Sequence, residues 1–216
     1  MSGPRKIQVL AMVAAVAALP PPAQAETPEQ GDEAAYQPSY QRRSDFHAGV
    51  SYSLAAMSAR GYPNEAGKLN NPAYVSDPGV GLGSVFSLWL GAAFRDWFSF
   101  GVGAAGLSYS AKDLDVGGGG FITRVEVFPL FYAFEQGRDL GLYGSFGIGG
   151  VMVKAGDETK ADGGALSIVG FGAFYEPLRF GNFSAGPTVE YTRLFSQSLE
   201  MQSASAGMRL AFYGGP

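Results

Sequence analysis

From Phe46 onward the chain alternates in character at every second residue. In "FHAGVSYSLAAM" one set is Phe46, Ala48, Val50, Tyr52, Leu54 and Ala56, and the other is His47, Gly49, Ser51, Ser53, Ala55 and Met57. Period two with one apolar and one small or polar face predicts a β-strand between two different environments. The rhythm returns in "VGLGSVFSLWLGA", "FSFGVGAA", "FITRVEVFPLF", "LGLYGSFGIGG", "SIVGFGAFYE", "FSAGPTVEYT" and "SASAGMRLAFY", which makes eight strands. Trp89 and Phe174 fall on the small-residue face by parity, against the pattern. Connections alternate too. Short turns are expected around Arg95-Asp96, near Glu135–Asp139 and at "LRFGN", and longer polar loops at 59–79, 110–120, 154–164 and 196–202.

The segment before Phe46 reads differently. Arg5 and Lys6 precede the apolar run "IQVLAMVAAVAAL", which ends in Ala23-Gln24-Ala25. That is the pattern of a Sec-type leader cleaved after Ala25, so residues 1–25 are expected to leave the mature protein. Residues 26–45 are polar and aperiodic, and are expected to form an exposed, disordered periplasmic tail. Residues 46–216 then form one domain. Losing the two leader cations leaves a net charge of −6, and no basic block suggests nucleic acid. There is no cysteine, and no mature segment is long and apolar enough for a membrane helix. A chain of this kind spans a membrane only as a closed barrel.

The aromatic positions favour that barrel. Aligning the short turns gathers Phe46, Trp97, Phe131, Tyr175, Phe183, Phe212 and Tyr213 near one level. A membrane interface favours such a girdle, whereas a soluble sandwich core does not. The fold expected is therefore all-β, an eight-stranded antiparallel up-and-down transmembrane barrel with a filled polar lumen. Parity then places Arg124, Glu126, Glu176, Glu190 and Arg209 inside. A last hairpin centred near 199–200 sets Glu190 across from Arg209. Pro129 and Pro187 fall on the lipid face, and a bulge is expected at Pro187.

These features resemble the small eight-stranded outer-membrane barrels: the OmpA transmembrane domain and OmpX group, and more distantly OmpW-like barrels. The resemblance spans about residues 46–213 and rests on the leader, eight alternating strands, interior Arg and Glu, and Phe212 near the end of the last strand. It implies insertion into the outer membrane of a Gram-negative-type bacterium after Sec-dependent export. It implies partners in outer-membrane lipid and the barrel assembly machinery, which reads the terminal aromatic, and a monomeric state. The expected role is structural or surface-interacting and not enzymatic, through extracellular loops of which 59–79 is long enough to recognise a ligand. A narrow channel for small solutes, a soluble lipocalin-like binder and a lipid-modifying enzyme are the competing readings.

Other motifs carry little. "GVGAAG" at 101–106 fits a dinucleotide fingerprint, but no helix follows it to hold a pyrophosphate. His47, the only histidine, faces inward at the rim opposite to where a barrel acyltransferase keeps its His and Ser. The acidic stretches "KDLD" and "GDETKAD" lack calcium-loop spacing, and "NFS" sits in a turn. No metal or cofactor is expected.

Overall fold

The computed structural model describes Arg43 and residues 45–214, apart from the Gln136 side chain. The expected leader and nearly all of the expected tail lie outside the described residues. Ten strands appear in chain order: β1 (Asp45–Gly61), β2 (Ser76–Arg95), β3 (Phe98–Ala111), β4 (Leu114–Val127), β5 (Leu140–Ala155), β6 (Glu158–Asp162), β7 (Leu166–Tyr175), β8 (Leu178–Phe180), β9 (Phe183–Phe195) and β10 (Leu199–Tyr213). They make eight staves, because β6, β7 and β8 are one stave broken twice. All pairing is antiparallel between neighbours, and β10 returns to β1.

Closure can be followed residue by residue. Ala59 pairs with Met201, then Leu194, Ile168, Gly147, Ile122, Gly103 and Trp89 follow in turn, and the path re-enters β1 at Gly49. It returns ten positions below its start. A stagger of that size over eight staves corresponds to a strand tilt of about 40°. The ladder thus runs round the full circuit of the wall and closes on itself, which satisfies the backbone there without an open edge.

Parity holds along the wall. The lipid-side set stays exposed, with Leu82 at 84%, Phe121 at 76% and Leu54 at 69% of full exposure. The alternate set is buried or partly buried. A soluble barrel has the opposite arrangement, so the lipocalin-like reading fails on orientation.

The connections depart from the expected alternation. Strands run much further at the upper end, away from the described chain termini, than the polar composition of 110–120 and 154–164 suggested. Lys112-Asp113 alone joins β3 to β4, and Gly156-Asp157 joins β5 to β6. Lys112, Asp113 and Gly156 have positive φ (51°, 61° and 59°), the backbone that lets a tight turn follow strand twist. At the lower end the turn near Glu135–Asp139 grows into the long segment 128–139. β4 ends at Val127, so Pro129 and Phe131 belong to that turn and not to the lipid face of a strand.

The bulge expected at Pro187 lies in the partner instead. β9 is continuous, while the facing stave breaks at Glu176-Pro177. The β7 ladder stops at Phe174 opposite Thr188, one residue short of Pro187, and β8 resumes at Leu178 opposite Ala185. Pro177 in the break and Pro187 across from it both lack an N–H to give, so the ladder lapses between them.

The buried charges of the lumen lie in its lower half. Above it Met57, Val151, Val153, Leu166, Leu194 and Met201 form an apolar core of fully buried side chains. The filled polar lumen expected from the sequence is thus present, with an apolar core packed above its charged part. Ordinary dispersion packing closes the upper part, where the staves supply β-branched and long side chains.

Candidate functional site

The lower lumen holds a ladder of alternating charges. Arg43 Nη2 stands 3.6 Å from Glu176 Oε2, and Glu176 Oε1 accepts from Arg209 Nη2 at 3.0 Å. Arg209 also donates to both oxygens of Glu126, at 3.0 and 3.2 Å. Arg124 Nε donates to Glu126 Oε1 at 2.7 Å. All five side chains are essentially fully buried. Tyr213 donates its hydroxyl to Glu176, and Ser99 Oγ donates to Glu126 Oε2 at 3.4 Å. Each carboxylate is therefore met by several donors, which a buried charge requires.

Aromatic rings enclose the cations. Arg43 stacks over Phe128 at 3.6 Å, Arg124 over Tyr143 at 3.6 Å and Trp89 at 4.1 Å, and Arg209 over Phe174 at 3.6 Å. Desolvated contacts of this kind are worth about 2 kcal/mol each. This explains Trp89 and Phe174, the two bulky residues out of pattern. Gly49 and Gly141 make room for them: a Cβ on Gly49 would collide with the Trp89 ring, and one on Gly141 with the Phe174 ring.

Arg124, Glu126, Glu176 and Arg209 thus come together, but Glu190 does not pair with Arg209. The last hairpin is centred lower in number than 199–200. Glu190 faces Ser205, and Arg209 faces Gly186. Glu190 instead accepts from Thr192 Oγ1 at 3.0 Å. Tyr213 also leaves the expected girdle. It lies inside, fully buried, because parity on β10 gives the outer position to Phe212. Phe46, Trp97, Tyr175 and Phe183 remain exposed on the outer wall. Phe131 is partly covered, packed toward Phe128, Tyr143 and Phe174.

Arg43 is the participant that sequence reasoning missed. It falls within the stretch expected to be exposed tail, yet it is fully buried in the lower mouth. Its backbone N–H donates to Asp96 Oδ1 at 2.8 Å, and its guanidinium donates to the Arg138 carbonyl and Asp139 Oδ1, both at 3.1 Å. One side chain therefore ties the β2–β3 turn, the 128–139 turn and the β7–β8 break. No period-two pattern marks a residue that precedes the first strand.

The upper end is also closed. Tyr62 donates its N–H to the Ser198 carbonyl at 2.7 Å, and Ser198 Oγ donates to the Asp162 carbonyl at 2.9 Å. Beyond it stands the loop 62–75, shorter than the 59–79 expected because β1 and β2 extend into it. It is held by a Lys68–Glu65 ion pair and a short 3-10 turn, Pro72–Tyr74, capped by Asn71. His47 is buried with neither ring nitrogen partnered, stacked on Tyr213 at 6.1 Å. No group of three or more His, Cys, Asp or Glu placed to hold a metal occurs among the described residues.

The apolar side chains point out of a closed barrel and the charges point in. This is a small membrane β-barrel. No protein-family model matches the chain, and neither does any curated protein sequence. Solved structures similar to it include small outer-membrane barrels. Neisserial surface protein A has 13% identity and a TM-score of 0.49, over 76% of this chain and 95% of its own. Ail, the attachment invasion locus protein of Yersinia pestis, has 12% identity and a TM-score of 0.45, over 78% and 99%. The outer membrane protein OprG from Pseudomonas aeruginosa has 11% identity and a TM-score of 0.39, over 81% and 99%.

Proposed function

We propose that this protein resides in the outer membrane of a Gram-negative-type bacterium, after Sec-dependent export, as a closed barrel whose work is done on its outer surface. A structural role in the membrane or contact through the upper loops follows, with 62–75 as the recognition segment. Outer-membrane lipid surrounds the wall, and the assembly machinery engages the last strand near Phe212. The reading carries no catalytic step and needs no second subunit.

One observation supports it above the others: side chains close the lumen at two heights. The charge ladder with Trp89, Phe128 and Phe174 fills the lower half, and the Met57–Val151–Met201 core fills the upper. A solute path would have to dismantle both. Planar-bilayer recording of the purified protein tests this. No steady unitary conductance is expected, and neither Arg124→Ala nor Glu126→Ala should open one in a barrel that still migrates as folded. Steady openings in the unaltered protein would favour the channel reading instead.

A further inference from the structure

The guanidinium in the lower mouth comes from outside the barrel wall. Arg43 precedes β1, and Asp45, the first residue of that strand, has a positive φ of 58° where the chain leaves the ladder. The place Arg43 fills is made by four other segments. Its Nη1 donates to the carbonyls of Arg138 and Asp96, at 3.1 and 3.4 Å, and Nη2 donates to Asp139 Oδ1 at 3.1 Å. Glu176 Oε2 stands 3.6 Å from Nη2. The guanidinium carbon lies 3.6 Å from the centre of the Phe128 ring and 5.6 Å from that of Tyr213. Two terminal nitrogens thus meet two carboxylates and two carbonyls around a flat group resting on a ring. That arrangement fits a planar guanidinium. A compact ammonium neither lies flat on a ring nor spans four separated acceptors.

The place does not depend on Arg43 for its shape. Glu176 is also held by Arg209 at 3.0 Å and by the Tyr213 hydroxyl, and Asp139 by Arg179 at 2.7 Å. Phe128 packs edge-on against Phe174 at 5.3 Å, and its backbone N–H donates to the Trp97 carbonyl. Both carboxylates and the ring are therefore fixed by contacts that survive the loss of Arg43. Arg124 and Arg209 spring from paired strands and cannot withdraw without opening the ladder, whereas Arg43 lies before its first rung. Solvent reaches one edge of the place, where the Asp139 side chain is 16% exposed. Nε of Arg43 has no hydrogen-bond partner. The place reads the two terminal nitrogens and leaves the stem unread, so the alkyl chain need not belong to residue 43.

We propose that the lower mouth is a binding site for an arginine side chain, occupied in cis by Arg43, and that a free alkylguanidinium takes the same place once Arg43 is removed. The test uses the full chain carrying Arg43→Ala, folded in detergent micelles and titrated with ethylguanidinium chloride or ethylammonium chloride at equal ionic strength. NMR reads the Phe128 ring and the Asp139 amide. Ethylguanidinium should produce saturable shifts at both, and ethylammonium should bind at least tenfold more weakly. The unaltered protein should respond to neither, because Arg43 fills the place. Adding Asp139→Asn should weaken ethylguanidinium binding several-fold. Should Arg43→Ala migrate as unfolded, refolding it with ethylguanidinium should restore the folded band, and ethylammonium should not. Equal shifts from the two probes would overturn the assignment to a guanidinium. Shifts of the same size in the unaltered protein, no saturable shift in folded Arg43→Ala, or no recovery of an unfolded one would overturn the site itself.

Discussion

Arg209 holds two carboxylates at once, Glu126 through both its terminal nitrogens and Glu176 through one. Removing it takes the shared cation from both, leaving Glu126 to Arg124 and Glu176 to the more distant Arg43. Breaking a buried ion pair from one side costs about 3–5 kcal/mol, because the remaining charge loses its partner. Arg209→Ala should therefore lower the urea midpoint for unfolding from lipid vesicles by that equivalent. Adding Glu126→Gln to it should deepen the loss, since Arg124 then loses its own carboxylate. If the single substitution leaves the midpoint unchanged, the ladder contributes no stability. At this scale parity identified Arg124, Glu126, Glu176 and Arg209 as interior residues. It also pointed Trp89 and Phe174 inward without supplying a reason. The reason is the guanidinium each ring covers, and that pairing joins residues on separate strands.

Among the elements, the β3–β4 hairpin best shows composition misleading. "SAKDLDVGGGG" looks like a loop, being polar and glycine-rich, yet only Lys112-Asp113 turn and the rest is ladder. Both turn residues sit at positive φ without being glycine. Asn-Gly is the sequence this turn geometry favours. Lys112→Asn with Asp113→Gly should stabilise the barrel by about 0.5–1 kcal/mol, seen as a higher unfolding midpoint. A lower midpoint would mean that the native side chains make contacts that outweigh the strain. The stave of β6, β7 and β8 gives the complementary lesson. It breaks at 163–165 and 176–177, the second time at Pro177 and close to Pro187 on β9. Both prolines were visible in sequence, but which strand would deform was not.

For the whole molecule the deciding property is that apolar residues surround the wall while charges lie within. Leu88, exposed on β2 within the apolar band, tests the orientation. Leu88→Arg should cost about 2–4 kcal/mol in lipid vesicles if that position lies near the bilayer midplane. In a soluble protein the same exposed substitution would be nearly neutral. Heat-modifiable migration on SDS gels gives an independent check: the unheated protein should run ahead of the boiled form. Recovery of the protein free in periplasm, with one mobility at both temperatures, would sink the membrane reading.

The sequence by itself determined which side of its strand each residue occupies. Alternation is a local consequence of backbone geometry, and it needs only i and i+2. Strand number, the lipid-facing band and the inward charges follow from it. The tertiary structure alone decided who meets whom. A ladder partner depends on where each hairpin turns, and a last hairpin centred below 199–200 moved Glu190 from Arg209 to Ser205 without turning either side chain to the other face. The closed structure also brought Arg43 from outside the pattern into the lower mouth. Those relations span distant parts of the chain, and closing the barrel fixes all of them together.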